Sequence, residues 1–185
     1  MRREVLTCGA SLLRKANLFA LRFITWKRVL GMEQVIETYS AEETYALGKK
    51  IGENAKPGQV YSLIGDLGVG KTVFTQGVAA GLGISEPVSS PTFTILQIYE
   101  EGRMPFYHFD VYRIGDIEEM EEIGYEDCFY GEGICLVEWA NLIEEILPED
   151  HIRITIAKEL SSGFDYRTIR IEQEQTETGT GTGTE

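Results

Sequence analysis

The stretch VYSLIGDLGVGKTVFTQ, residues 60–76, carries the reading of the whole chain. Its first six residues, VYSLIG, are a short apolar run that follows a turn-forming KPGQ, which predicts a buried β-strand. The strand leads into Gly65, four residues, then Gly70-Lys71-Thr72. In such a loop each part has its own physical task. Gly65, Gly68 and Gly70 permit backbone conformations and close approaches that a Cβ would block, so successive N–H groups can point inward at phosphate oxygens. A helix predicted from about Lys71 to Ala80 adds its positive N-terminal end. Lys71 supplies a mobile charge for the β and γ phosphates, and Thr72 a hydroxyl for Mg²⁺. Asp66, Leu67, Val69 and Val73 complete the stretch expected to wrap the nucleotide.

On either side of this loop, strand and helix signals alternate. VIETYS (35–40) is a strand candidate, and Ser40 with Glu43 forms a capping-box signature for a helix running to about Asn54. SEPVSSPTF (85–93) reads as an exposed loop and TILQIYE (94–100) as an alternating strand. FYHFDVYR (106–113) is a further strand, DIEEMEEIG (116–124) an acidic helix, ICLVEW (134–139) a fully apolar strand and NLIEEILP (141–148) another helix. HIRITIA (151–157) and YRTIRIE (166–172) form a C-terminal β-hairpin across ELSSGFD. The expected fold class is therefore α/β, a P-loop NTPase fold whose central, mostly parallel sheet is flanked by helices.

A magnesium site also needs an acid at the end of a neighbouring strand, and two are available. Glu138 ends ICLVEW, four apolar residues followed by a carboxylate, and is assigned to the metal directly or through water. Asp110 ends FYHFD, an alternating strand expected to be less completely buried, and is assigned to the attacking water or to a contact behind the metal. His108 shares a strand face with Asp110 and reads first as a satisfied structural group, with a general-base role as the alternative. Trp139 is either a core aromatic or a nucleotide-sensing gate. Thr92 and Thr94 stand where many P-loop NTPases sense the γ phosphate.

Composition narrows the function. At 185 residues and 43% hydrophobic content, one domain with a proper core is expected. Residues 1–31 hold seven of the 17 Lys and Arg and only Glu4 among the acids, leaving 10 bases against 29 acids after them, a net charge of −19. So acidic a surface disfavours unaided binding to a nucleic-acid backbone, and any RNA connection should run through a partner. Cys8, Cys128 and Cys135 make no CxxC pair, and the later two, in apolar surroundings, read as core thiols. The basic segment 1–31 lacks an unbroken apolar span of about 18 residues and is not a membrane helix. The charge reversal at Met32 suggests that the working protein begins there, with a transit peptide as the alternative. The domain is placed at 32–172, and the Thr-Gly-rich 173–185 is expected to be a disordered tail.

Neither an N/TKxD segment nor a DxxG is present, so guanine specificity has no support. Arginines after the loop are few, namely Arg103, Arg113, Arg153, Arg167 and Arg170. That favours an ATPase over a small-molecule kinase, although Arg113 could act in cis.

Taken in order, GDLGVGKT, SSPTFTI, YHFDVYR and LVEW resemble the motifs of the bacterial TsaE family, also called YjeE, over about residues 33–172. The resemblance implies a cytoplasmic Mg²⁺-dependent ATPase of tRNA threonylcarbamoyladenosine biosynthesis, working with TsaD and TsaB and meeting tRNA only through them. It implies slow hydrolysis that resets the complex between turnovers. It also implies that Lys71 and the loop amides hold phosphates, that Thr72 and Glu138 hold magnesium, and that Asp110 supports hydrolysis. Trp139 fills the family's tryptophan position, while Ser40 to Thr44 and Arg167 match stretches near the base. A small-molecule kinase and a non-catalytic, nucleotide-dependent assembly factor remain the alternatives.

Overall fold

In a computed structural model that describes residues 32–173, the VYSLI run forms strand β2 (Val60–Ile64) at the centre of a seven-stranded sheet. Its side chains divide between two apolar layers: Tyr61 and Leu63 enter one core cluster and Val60 the other. The remaining strands are β1 (Met32–Thr38), β3 (Leu96–Tyr99), β4 (Phe106–Asp110), β5 (Ile134–Glu138), β6 (Ile152–Lys158) and β7 (Arg167–Gln173), in the order β1-β7-β6-β2-β5-β4-β3. The run β6-β2-β5-β4 is parallel, whereas β1-β7, β7-β6 and β4-β3 are antiparallel. The sheet is thus mixed, parallel at its centre and antiparallel at both flanks: the expected C-terminal hairpin forms and joins one side with β1, and β3 pairs back onto β4 at the other.

Helix α1 (Ala41–Asn54) starts at the expected cap, Ser40, with the Glu43 carboxylate reaching one residue further back than a capping box has it. Ser40 Oγ accepts from the Glu43 amide at 3.2 Å, and the Glu43 carboxylate accepts from the Tyr39 amide at 2.8 Å. Its far end is held by Arg103, whose Nη2 donates to the carbonyls of Gly52 and Ala55, each at 2.6 Å. Helix α2 (Lys71–Leu82) follows the Gly-rich loop and ends at Gly83, in the left-handed region at φ 87°.

Helices α1 and α2 pack almost backbone to backbone. A Cβ added to Gly52 would lie 2.1 Å from the Val78 carbonyl oxygen, and one added to Gly77 2.2 Å from that of Tyr45. Gly48 and Gly81 meet the facing helix in the same way. Each helix therefore carries a Gly-xxx-Gly pair, and the intrinsic cost of glycine in a helix, about 1 kcal/mol each, is offset by this close approach.

On the other face lie α3 (Glu118–Ile123) and α4 (Tyr125–Phe129), the latter not anticipated from the sequence. The expected helix over 141–148 is instead two short 3₁₀ turns, Ala140–Leu142 and Glu144–Ile146. Ile143 interrupts the helical path at φ −130°, and Leu147, restricted by the following Pro148, is extended at φ −69°, ψ 142°. The segment has the apolar spacing of a helix without the length to sustain one. Strand β3 starts later than expected because residues 91–95 form a turn that ends at Ile95, φ 64°.

Cys128 and Cys135 are buried, as expected, and the Cys135 thiol donates to the Cys128 carbonyl at 3.1 Å. Burial pushes the Cys135 thiol well above its usual range. Cys8, the basic segment 1–31 and the tail beyond Gln173 lie outside the described residues. No helix among the described residues is long and apolar enough to cross a membrane.

Candidate nucleotide site

The site forms where β2, β4 and β5 end together. Gly65 follows β2 directly, and a Cβ there would come within 2.4 Å of the Ile156 carbonyl oxygen on β6, so only glycine fits. Gly70 caps α2 from the left-handed region, φ 105° and ψ 21°, which turns the chain into the helix without a side-chain cap. The N-terminal amides of α2 are therefore left to face the loop. Between these glycines Val69 is buried and anchors the loop, while Leu67 stands 88% exposed at its tip. Asp66 and Gly68 are exposed with it, and Thr72 and Val73 are half-buried in the first turn of α2.

Lys71 is buried, with its ammonium folded back on the loop. Nζ donates to the carbonyls of Gly65 at 2.7 Å and Asp66 at 3.0 Å, and lies 3.8 Å from the centroid of the Trp139 ring. Burial pulls this ammonium below its usual range, and Glu138, Asp110 and Asp66, in that order, pull it back. Trp139 owes its place to a left-handed backbone, φ 63° and ψ 29°, rare for a bulky residue. Its ring also packs against Tyr112, with centroids 4.9 Å apart.

Asp110 and Glu138 are register partners on β4 and β5, each only 2% exposed. The expectation that Asp110 would be less completely buried is corrected: β4 lies between β3 and β5, and its last three residues are all buried. Asp110 Oδ2 accepts from the hydroxyls of Ser90 and of Thr92, the latter at 2.7 Å, and Oδ1 accepts from the Tyr112 amide at 3.1 Å. The Ser-Pro loop after α2 is thus tied to this carboxylate through Thr92. Thr94 is exposed and takes no part in that contact.

Glu138 Oε1 faces His108 Nε2 at 3.0 Å and Thr75 Oγ1 at 3.5 Å. Among the described residues no group of three or more His, Cys, Asp and Glu side chains surrounds a common point. A cation here would need ligands from phosphates and water, the habit of Mg²⁺ rather than of a metal caged by protein. The residues fit that ion: two adjacent carboxylates and the Thr72 hydroxyl, which has no hydrogen bond among the described residues, flank the phosphate loop.

The residues expected near the base lie at the other side of the loop. Arg167 Nε donates to the Val69 carbonyl at 2.7 Å and Nη1 to those of Phe164 and Tyr166, both at 2.8 Å, so it braces the loop from β7. Ser40 is the cap of α1, and Thr44, 3% exposed, shares a 2.9 Å hydrogen bond with Thr38. Arg113 stacks over Phe93 at 4.5 Å.

Sequence reasoning passed over Ser90, Thr75 and Tyr112. Thr75 stands one helical turn beyond Lys71, Ser90 two residues before Thr92 and Tyr112 two beyond Asp110, spacings that are the local hints of their places.

Three comparisons bear on this geometry. The sequence model of a family described as threonylcarbamoyl adenosine biosynthesis protein TsaE matches residues 38–169. The chain is 52% identical to the tRNA threonylcarbamoyladenosine biosynthesis protein TsaE of Bacillus subtilis, over 71% of this chain and 80% of that protein. It is 43% identical to the protein of the same name from Treponema pallidum, over 63% of this chain and 86% of that one. The crystal structure of Bacillus subtilis YdiB superposes with a TM-score of 0.68 at 42% identity, covering 80% of this chain and 90% of that one.

Proposed function

The chain belongs to the TsaE family, and from that premise we propose that it is a Mg²⁺-dependent ATPase. It serves as accessory subunit of the cytoplasmic complex that makes N6-threonylcarbamoyladenosine next to the anticodon of tRNA. Its partners are TsaD-like and TsaB-like proteins, it meets tRNA through them, and the working unit is residues 32–172. The observation that carries the reading is the convergence of a Gly-rich phosphate loop, Lys71, Asp110 and Glu138 at the ends of adjacent strands.

In this reading the amides of residues 65–73 and the Lys71 ammonium bind the phosphates. Lys71 does so by exchanging the Gly65 and Asp66 carbonyls for phosphate oxygens. Without a cation, the carboxylates of Asp66, Asp110 and Glu138 would repel a polyphosphate, against the pull of Lys71 and the loop amides. Mg²⁺, when bound, supplies that compensating charge and polarises the phosphates, with Thr72 and Glu138 as its protein contacts. Asp110 orients the attacking water, and its ties to Ser90 and Thr92 couple the loop after α2 to the phosphate being cleaved. Trp139 covers Lys71 and reports the arrival of nucleotide. Arg167, with Ser40 and Thr44, supports the base side of the site by bracing the loop and the start of α1.

The test is ATP hydrolysis by the full chain, alone and with its TsaB and TsaD counterparts plus tRNA. Low basal turnover that rises in the complex supports the reading. Turnover indifferent to those partners, with phosphate passed to a metabolite, would replace it with a kinase.

A further inference from the structure

The two oxygens of Glu138 have different surroundings. His108 and Thr75 both approach Oε1, and among the described residues Oε2 has no hydrogen bond. A carboxylate only accepts, so an ionised Glu138 needs a neighbour with a proton to give. Thr75 has one hydroxyl proton, and it already donates at 3.0 Å to the Lys71 carbonyl, the shorter of its two contacts. His108 is the remaining donor.

We infer that His108 is a positioning residue for Glu138: its Nε2–H holds Oε1 so that Oε2 is presented to the cation accompanying the nucleotide phosphates. The inference rests on the Mg²⁺-dependent nucleotide reading above. With the proton on Nε2, Nδ1 is an acceptor, and among the described residues it is buried with no partner. The ring is 0% exposed and stacks on Phe106 with centroids 6.0 Å apart and planes 8° from parallel. An apolar side chain would fill this space without orphaning a nitrogen, so packing alone does not account for an imidazole. What histidine adds over leucine is the single contact to Oε1. Strand pairing makes that contact possible: His108 lies opposite Leu136 and Asp110 opposite Glu138, which puts His108 two residues along the same face from the Glu138 position. Such a partner behind a metal-contacting carboxylate fixes its orientation.

The test compares His108→Leu, His108→Asn and His108→Gln in the full chain. Gln carries an amide N–H to about the reach of Nε2, Asn stops short of it and Leu has no donor. ADP binding is measured by calorimetry with Mg²⁺ and with EDTA, and ATP turnover is measured against Mg²⁺ concentration. For Leu and Asn, half-saturating Mg²⁺ should rise and turnover should fall by about tenfold or more, with ADP affinity in EDTA within about twofold of the parent. Gln should recover most of both losses. Should Leu fail to fold, Asn against Gln makes the same comparison. Unchanged Mg²⁺ dependence in Leu and Asn, or a Gln variant as impaired as Asn, would overturn the inference. If the parent chain hydrolyses no ATP in any complex while Mg²⁺-dependent ADP binding is weakened by Asn and restored by Gln, the ATPase reading fails and the inference stands. If parent ADP binding is indifferent to Mg²⁺, the inference falls.

Discussion

The ammonium of Lys71 rests 3.8 Å from the centroid of the Trp139 ring while it donates to the carbonyls of Gly65 and Asp66. The lysine is therefore satisfied before any phosphate arrives, and a nucleotide has to replace carbonyl and ring contacts with stronger charge-assisted ones. Adding ADP or ATP should change Trp139 emission, read in a Trp26→Phe background so that Trp139 is the sole tryptophan. Lys71→Ala should weaken nucleotide binding by about 2 kcal/mol, some thirtyfold in Kd, and remove most of the emission change. An unaltered emission response in Lys71→Ala would separate the tryptophan from nucleotide sensing.

Asp110 accepts three hydrogen bonds, from Ser90, Thr92 and the Tyr112 amide. Asp110→Ala should lower ATP turnover by about a hundredfold, measured as phosphate release, with a much smaller change in ADP affinity. The double change Ser90→Ala, Thr92→Ala should cost less, since the carboxylate itself remains. If Asp110→Ala abolishes hydrolysis yet tRNA modification continues undiminished, nucleotide binding alone suffices and the protein is an assembly factor.

The α1–α2 contact makes a stability prediction opposed to helix propensity. Ala at Gly52 or Gly77 gains about 1 kcal/mol of propensity but drives a Cβ to 2.1 or 2.2 Å from a facing carbonyl oxygen. The net result should be a loss of about 2 kcal/mol, read as a lower urea midpoint. Because α2 begins at Lys71, nucleotide affinity should fall too. A raised midpoint would mean that the helices separate without cost.

Tyr166 Oη donates to Glu37 Oε1 at 2.8 Å, and this bond, ahead of burial, pushes the phenol up to about 12 from 10.0. The folded protein keeps the proton over a range in which the unfolded chain loses it, so the stabilisation is whole below the unfolded value and disappears as pH rises through about 12. The difference in Tm between the parent chain and Tyr166→Phe should hold steady up to about pH 9 and shrink between about pH 10 and 12. A gap that widens with pH would contradict the assigned proton.

Some of this was legible before any tertiary contact was known. The phosphate loop, the capped start of α1 and the C-terminal hairpin are local codes, in which residues a few positions apart dictate backbone conformation. Misreadings arose where local pattern and surroundings conflict. FYHFD alternates like a half-exposed strand, but its neighbours β3 and β5 leave Asp110 buried. NLIEEILP has helical apolar spacing, but Pro148 stops it after two 3₁₀ turns. Gly48, Gly52, Gly77 and Gly81 have a visible spacing whose meaning appears only once the two helices face each other.

By itself the sequence determined that a strand, a phosphate loop and a helix follow one another, because glycine's missing Cβ and the apolar run act within a few residues. Tertiary structure decided that Asp110 pairs with Glu138, that His108 reaches Oε1 and that Trp139 covers Lys71. Those placements depend on strand order and register, which contacts between distant residues settle only when the two apolar layers close over the sheet.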